Sequence, residues 1–204
     1  GREGTLVVAD RQTEGRGRRG REWFSPSESS LSFSCILRPP LPPLRESTLS
    51  LLPALAAAGA IESLTGLKAG IKWPNDIIIN RRKTGGILIE GGQDNSGARF
   101  LIVGIGLNVN TAAFPGELQD TATSLLLERG EAIDRAELLA TLIIELERLY
   151  YTFLDKIDYS DILAEYRKRS VTLGGRVRIV ENRTSRILRA IDITDRGELI
   201  VEDK

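Results

Sequence analysis

Apolar and polar positions along the chain follow two periods, and where each holds sets the expected elements. Residues 5–9 (TLVVA) form a short β-branched run that predicts a strand. Leu31, Phe33, Cys35 and Leu37 alternate with Ser32, Ser34 and Ile36, the period of a strand with one buried face. Over residues 47–64 the period becomes helical, with Leu51, Leu52, Leu55, Ala58, Ile61 and Leu64 on one stripe. Pro53 belongs to its first turn or kinks it, and Gly66 is a stop signal. Residues 71–73, 77–79, 86–90 and 100–109 read as further strands, joined as hairpins through turns at Pro74-Asn75 and Asn80-Arg81. Asp134-Arg135-Ala136-Glu137 is a capping-box pattern before a long helix to about Asp155, and Ser160 opens another to about Arg169. After Gly174-Gly175 come short strands at 177–180, 186–193 and 199–201, with turns at Asn182 and Asp195-Arg196-Gly197. These roughly 35 residues predict a small barrel near the lower size limit for independent stability, docked on a main domain. Residues 10–30 follow no period and hold five arginines from Arg11 to Arg21, so they form an irregular loop, while residues 39–43 (PPLPP) form a stiff extended connector.

Composition narrows the chemistry. A chain of 204 residues accommodates one main domain and a small appendage. Its 28 basic and 28 acidic residues cancel, and 41% hydrophobic with 27% charged content is the profile of a soluble globular protein. The longest weakly polar stretch, residues 49–61, contains Pro53 and falls short of the ~20 residues a membrane span needs, so neither a span nor a signal peptide is expected. The single cysteine, Cys35, rules out an intrachain disulfide and fits a reducing cytoplasm. Histidine is absent, which excludes Ser-His-Asp and Cys-His catalysis, histidine bases and histidine metal sites from this chain. No protein-built metal site is expected. Methionine is absent as well, which predicts that further residues precede Gly1 in the natural chain.

Three segments carry candidate chemistry. Gly15-Arg16-Gly17-Arg18-Arg19-Gly20 formally satisfies the G-x-G-x-x-G dinucleotide fingerprint. That fingerprint works by turning a strand straight into a helix, with an acid about 20 residues on. Here the loop runs into Trp23-Phe24-Ser25-Pro26, which cannot open a helix, and the acidic position falls in Leu37-Arg38-Pro39. What remains is backbone freedom alternating with fixed positive charge, suited to wrapping a phosphate or carboxylate through N–H groups and guanidinium forks. A solvated surface loop accounts for the same composition, and the zero net charge argues against nucleic-acid binding. Trp23 is either a core residue or a surface on which an aromatic base stacks. Lys72-Trp73-Pro74-Asn75-Asp76 projects Asn75 and Asp76 in a fixed direction, because proline restricts both itself and the residue before it; an ordinary hairpin turn is the alternative. Lys83-Thr84-Gly85-Gly86 offers a point charge beside an open backbone, or simply a polar turn. Gly104 and Gly106 weaken an otherwise apolar strand, which points to close approach by another backbone or a ligand.

In order and spacing, Gln12-Thr13-Glu14-Gly15-Arg16-Gly17-Arg18-Arg19-Gly20-Arg21-Glu22-Trp23, Lys72-Trp73-Pro74-Asn75-Asp76, Lys83-Thr84-Gly85-Gly86-Ile87-Leu88 and Gly104-Ile105-Gly106-Leu107-Asn108 resemble the biotin protein ligase family. Thr123-Ser124-Leu125 and the helix after Asp134 extend the resemblance over nearly the whole chain. It implies an α/β fold (α+β, mixed sheet) of the biotin/lipoate ligase type over residues 1–168, lacking its N-terminus, and a small Src-homology-3-like β-barrel over residues 169–204. The implied activity uses ATP and Mg²⁺ to convert biotin to biotinyl-5′-AMP, then transfers biotin to a lysine of a biotin carboxyl carrier domain of a carboxylase. Positioning and charge suffice for this chemistry.

By the same resemblance, Lys83, Arg18 and Asp76 are the catalytic residues. Gln12 binds the polar end of biotin; Arg16 and Arg18, with the Gly15 and Gly17 backbone, hold the carboxylate and then the adenylate phosphate. Lys83 stands at the carboxylate–phosphate junction, Arg21 reaches the ATP phosphates, and Trp23 packs on adenine. Asn75 and Asn108 touch the nucleotide or its Mg²⁺, Asp76 orients or deprotonates the carrier lysine, and Gly86 admits the biotin ring. The family also has a Ser/Thr-Thr-Asn element before residue 1, and some members carry an upstream helix-turn-helix domain, the one circumstance in which nucleic acid is an expected partner. A cytoplasmic enzyme, with homodimerisation open, is the resulting expectation. A regulatory member that binds biotinyl-AMP without efficient transfer, or a lipoate-type ligase, are the alternatives; lipoate-type relatives lack the Gly-Arg-Gly-Arg-Arg-Gly loop and the Lys-Trp-Pro-Asn-Asp turn.

Overall fold

The computed structural model describes residues 1–40, 48–155, 159–181 and 184–203. The connector beyond Pro40, the expected helix start at Ser47 and the turn at Asn182 lie outside them. Six of the apolar runs pair into one antiparallel sheet: β1 (Leu6–Ala9), β2 (Ser30–Leu37), β3 (Gly70–Lys72), β4 (Asp76–Ile79), β5 (Arg82–Gln93) and β6 (Arg99–Asn108), in the order β1-β2-β6-β5-β4-β3. Strands β3 to β6 follow one another as hairpins, as the short turns require; Asn80 and Arg81 supply the two left-handed residues of one turn, with φ of 47° and 67°. Strand β5 runs beyond the expected 86–90 at both ends. It continues through Gly91-Gly92 because β6 covers the bare backbone: Gly92 stands opposite Phe100, whose ring fills the place of the missing side chain.

Leu31, Phe33, Cys35 and Leu37 face the core as the alternation predicts, but the opposite face of β2 is not open to water. Ser30 and Ser32 are buried, and Ser32 Oγ meets Ser25 Oγ at 3.0 Å, because the arginine-glycine loop and the residues after it roof that face.

Helix α1 (Leu52–Thr65) has Pro53 in its first turn and ends at Gly66 with φ of 70°. Its alanines are buried on nearly every side, since α1 is wedged between the sheet and the long helix α3 (Arg135–Asp155). A helix that is apolar all round belongs in such an interior position. A short helix that periodicity does not reveal, α2 (Leu125–Arg129), starts at Ser124, whose Oγ accepts from the Leu127 N–H at 3.2 Å, and ends at Gly130. Helix α3 is capped as its sequence predicts, Asp134 Oδ1 accepting from the N–H groups of Ala136 and Glu137 at 2.7 and 3.1 Å. Helix α4 (Ser160–Arg169) follows.

Strands β7 (Arg176–Glu181), β8 (Thr184–Ile193) and β9 (Leu199–Glu202) form a separate three-stranded antiparallel sheet. It shares the main core through Ile193, with Leu173 and Leu199 packed against it. Polar contacts reinforce the seam: Thr48 Oγ1 donates to Asp195 O at 2.7 Å, Trp73 Nε1 to Gly197 O at 2.9 Å, and Trp73 N to Thr172 Oγ1 at 2.8 Å.

Candidate active site

The Lys72-Trp73-Pro74-Asn75-Asp76 turn joins β3 to β4 through a cis Trp73–Pro74 peptide. Its Asn75 is fastened on three sides. The backbone carbonyl accepts from Ile87 N at 2.9 Å, the side-chain Nδ2 donates to Ile87 O, and Oδ1 accepts from Arg18 Nη1 at 3.2 Å. Asn75 thus ties the turn to β5 and holds one guanidinium of the cationic loop. Asp76 begins β4 opposite Gly86, and its Oδ1 is 2.7 Å from Lys83 Nζ.

Lys83 occupies an irregular place in the sheet. The β4–β5 register slips between Ile77 and Ile78, so Ile77 faces Gly85 while Ile78 faces Lys83, and Thr84 is left as the bulged residue. A bulge of this kind re-aims a side chain and gives up ladder hydrogen bonds. Here both backbone groups of Lys83 turn to the segment ahead of α2: its N–H donates to Thr121 O and its carbonyl accepts from Thr123 N, each at 2.8 Å.

The arginine-glycine loop closes on itself. Trp23 N donates to Gly15 O at 2.8 Å and Gly17 N to Arg21 O at 2.7 Å, with one turn of 3-10 helix at Arg18–Gly20 between. Gly15 has no room for a side chain, because a Cβ there would lie 2.5 Å from Trp23 O. Arg16, Arg18 and Arg21 are exposed along a cleft of about 1770 Å³. Every expected site residue except Gly15 lines that cleft: Gln12, Arg16, Gly17, Arg18, Arg21, Trp23, Asn75, Asp76, Lys83, Gly86 and Asn108. Gly15 instead serves the loop's closure. The volume exceeds the ~300–1,000 Å³ of an ordinary small-molecule site, which leaves room for two reactants or for an intruding protein segment.

Two of these residues already have partners within the protein. The indole of Trp23 packs against Gly106: a Cβ there would fall 2.6 Å from both Cε2 and Nε1. A Cβ at Gly86 would meet Lys83 Nζ at 3.3 Å and Trp23 Cζ3 at 3.5 Å, and Lys83 Nζ is 5.5 Å from the Trp23 ring centroid. The two glycines form a floor, and in this structure Trp23 covers it. Trp23 Nε1 is buried without a hydrogen-bond partner, a state that natural structures seldom leave unanswered. Asn108 is buried, and its Nδ2 donates to Thr123 O at 3.1 Å, so its amide steadies the same segment that holds Lys83. Sequence reasoning passed over Thr121 and Ala122, which line the cleft beside Lys83, and Lys68 and Arg178 on its far wall. The Ser124 cap before Leu125 was the available signal for the first pair; nothing local marks the second.

A family model described as the biotin/lipoate A/B protein ligase family matches residues 2–110. The chain belongs to this family. Among its relatives, this ligase-family chain is 40% identical over 202 residues to the bifunctional ligase/repressor BirA of Bacillus subtilis, covering 98% of this chain and 62% of that protein. It is 34% identical over 205 residues to the biotin–[acetyl-CoA-carboxylase] ligase of Mycobacterium tuberculosis, covering 98% and 74%. The family fold is the same in three dimensions: the biotin protein ligase of Aquifex aeolicus in complex with biotin and ATP superposes with a TM-score of 0.87 at 32% identity, over 98% of this chain and 82% of that one. The chain spans 62% of the length of the Bacillus relatives.

Proposed function

We propose that this chain carries the active centre of a biotin protein ligase, an ATP-dependent, AMP-forming enzyme that makes biotinyl-5′-AMP and transfers biotin to a lysine of a biotin carboxyl carrier domain. The observation that carries the reading is the convergence of Lys83, Arg18 and the cationic loop on one cleft, with Asp76 2.7 Å from Lys83 and a glycine floor beneath, covered by Trp23. The names and the bound biotin and ATP of the relatives support it.

In the first step a biotin carboxylate oxygen attacks the α-phosphorus of ATP; the new O–P bond forms as the bond to the pyrophosphate oxygen breaks and its electron pair leaves with pyrophosphate. Two anions must meet, so the protein supplies preorganised positive charge: Arg16, Arg18 and Arg21 from the loop and Lys83 from the bulge. Biotin reaching Gly86 displaces the Trp23 indole from the glycine floor, which frees Nε1 to find a partner. In the second step the carrier amine attacks the acyl carbon, the C–N bond forms, the C–O bond to phosphate breaks, and AMP leaves. Asp76 orients that amine or receives its proton.

Mg²⁺, if brought in with ATP, would supply charge at the phosphate oxygens. The described residues do not fit a protein-built magnesium site. They include no cluster of three or more histidine, cysteine or acidic residues suited to a metal, Asn75 is committed to Ile87 and Arg18, and Asn108 gives its Nδ2 to Thr123 O, which leaves a single amide oxygen rather than a ligand set. A divalent ion would therefore depend on phosphate oxygens and water.

No described helix is long and apolar enough to cross a membrane. We place the enzyme in the cytoplasm, with the carrier domain as its macromolecular partner, and read residues 169–204 as a Src-homology-3-like module beside the catalytic domain of residues 1–168. The test is biotin-dependent ATP–pyrophosphate exchange, run beside the same assay with lipoate and followed by transfer to a carrier domain. Exchange with biotin and not lipoate, then label on the carrier, is expected. Exchange with lipoate alone, or none with either, overturns the reading. Exchange without transfer identifies instead a member that holds the adenylate as an effector.

A further inference from the structure

The best-buried carboxylate near this centre does not touch the cleft. Glu128, on α2, has a side chain only 4% exposed, and it is not among the residues lining the cleft. Its Oε1 accepts from Arg82 Nη2 at 2.7 Å and from Thr123 Oγ1, and its Oε2 accepts from Asn80 Nδ2 at 2.6 Å. Burial pushes this carboxyl upward, but the hydrogen bonds from Thr123 and Asn80 and the Arg82 charge outweigh it, and it titrates below its ordinary value. Glu128 is therefore ionised at neutral pH, with a donor for each exposed demand of its charge.

The three donors are not arbitrary neighbours. Arg82 immediately precedes Lys83, Asn80 belongs to the left-handed turn that launches β5, and Thr123 gives its N–H to the Lys83 carbonyl. Because of the bulge, the Lys83 backbone is held by the 121–123 segment rather than by β4. One carboxylate grips the chain on both sides of that junction. We propose that Glu128 is a positioning residue that fixes the Lys83 ammonium in the cleft by clamping Arg82 and Thr123 across the bulge. The catalytic part of this inference rests on the role given to Lys83 above; the positional part does not.

The experiment uses the full chain with Glu128→Ala, Glu128→Gln and Thr123→Val, with Glu128→Ala also made in a Lys83→Ala background. Amide hydrogen exchange by NMR reads position without any reaction. In Glu128→Ala the Lys83 and Thr123 amides should exchange at least about tenfold faster while Leu88 and Val103 in β5 and β6 stay protected, the pattern of a local rather than a global opening. In pyrophosphate exchange the same variant should lose about tenfold or more in kcat with the biotin KM little changed. Glu128→Gln, which retains an acceptor for Arg82 and Thr123, should recover most of it, and Glu128→Ala should cost nothing further once Lys83 is alanine. Unchanged protection at Lys83 and Thr123 overturns the proposal, as does uniform loss of protection across β5 and β6. An additional kcat loss in the Lys83→Ala background overturns it too. Should the parent chain perform no exchange reaction, the functional reading fails alone, and the amide rates still decide whether Glu128 positions Lys83; if Glu128→Ala does not fold, Thr123→Val, which removes one donor to Glu128 and keeps the Thr123 N–H, supplies the same readouts.

Discussion

Replacing Lys83 with alanine separates catalysis from stability, because the structure assigns very different magnitudes to the two. The Lys83 ammonium is 2.7 Å from Asp76, yet the two side chains remain 37% and 27% exposed. Solvent screening and side-chain entropy hold such a pair to about 0–1 kcal/mol. The contact with the Trp23 ring, 5.5 Å from centroid to Nζ, adds at most about 1 kcal/mol at a partly open site. Both backbone bonds to Thr121 and Thr123 survive the substitution, since neither involves the side chain. A loss of about 1 kcal/mol in a chain this size lowers Tm by roughly 2–4 °C. Removing a preorganised donor aimed at developing charge costs about 3–4 kcal/mol of transition-state stabilisation. At about 1.4 kcal/mol per decade that is a fall of roughly 100- to 1000-fold in kcat/KM. The assay is biotin-dependent pyrophosphate exchange paired with a thermal melt. Near-normal exchange would remove Lys83 from the chemistry, and an activity loss matched by a large drop in Tm would make it a structural residue instead.

Arg18→Gly should speed release of biotinyl-5′-AMP while leaving Tm within a few degrees, since the exposed Arg18–Asn75 bond adds little to stability; equal adenylate retention with a lowered Tm, measured by calorimetry and melting, would mark the loop as structural. Gly106→Ala places a methyl 2.6 Å from the Trp23 indole on a strand paired on both sides by Ser32 and Gly86, so the ring must lift. A shift in tryptophan emission that vanishes in the Trp23→Phe background, together with weaker biotin binding, is expected, and unchanged emission and affinity would show that this floor is not the ligand's seat. Asp94 is held down at about 2 by the Ser96 hydroxyl, the Ser96 N–H and Arg38, so its contribution to stability is complete above its ordinary value of 3.8 and lost as pH falls through about 2. Urea midpoints between these pH values should therefore fall less steeply in Asp94→Asn than in the parent, and parallel curves would contradict the assignment.

What could be read in the sequence is what local chemistry decides. The hairpins from β3 to β6, the Asp134 cap and the Gly66 stop all follow from period and turn residues a few positions apart. The glycines of β6 were legible as a point of close approach, but not that Trp23, eighty-odd residues earlier, would be the group approaching. The buried serines of β2 contradict its simple alternation because the roof above them comes from a loop with no periodicity of its own. The bulge at Thr84 and the transfer of Lys83's backbone bonds to Thr121 and Thr123 arise only when three separated segments meet. The cationic loop and the Lys72–Asp76 turn were visible as chemistry; their junction at Arg18 and Asn75 spans 57 residues and needed the fold.

Trp73 gives the small C-terminal sheet a reach beyond its size. The indole N–H ends on the carbonyl of Gly197, and the peptide N–H of the same residue ends on Thr172, so a chain cut after helix α4 would strand both donors and bare the neighbouring Leu51. Such a shortened protein would keep every residue named in the chemistry and still lose the brace that aims Asn75 and Asp76. Conversely, the turn at residues 195–197 is tied through the Trp73 indole to a residue two peptide bonds from Asn75, the partner of Arg18, so that distant loop is built into the wall of the cleft rather than being a tail end of the molecule.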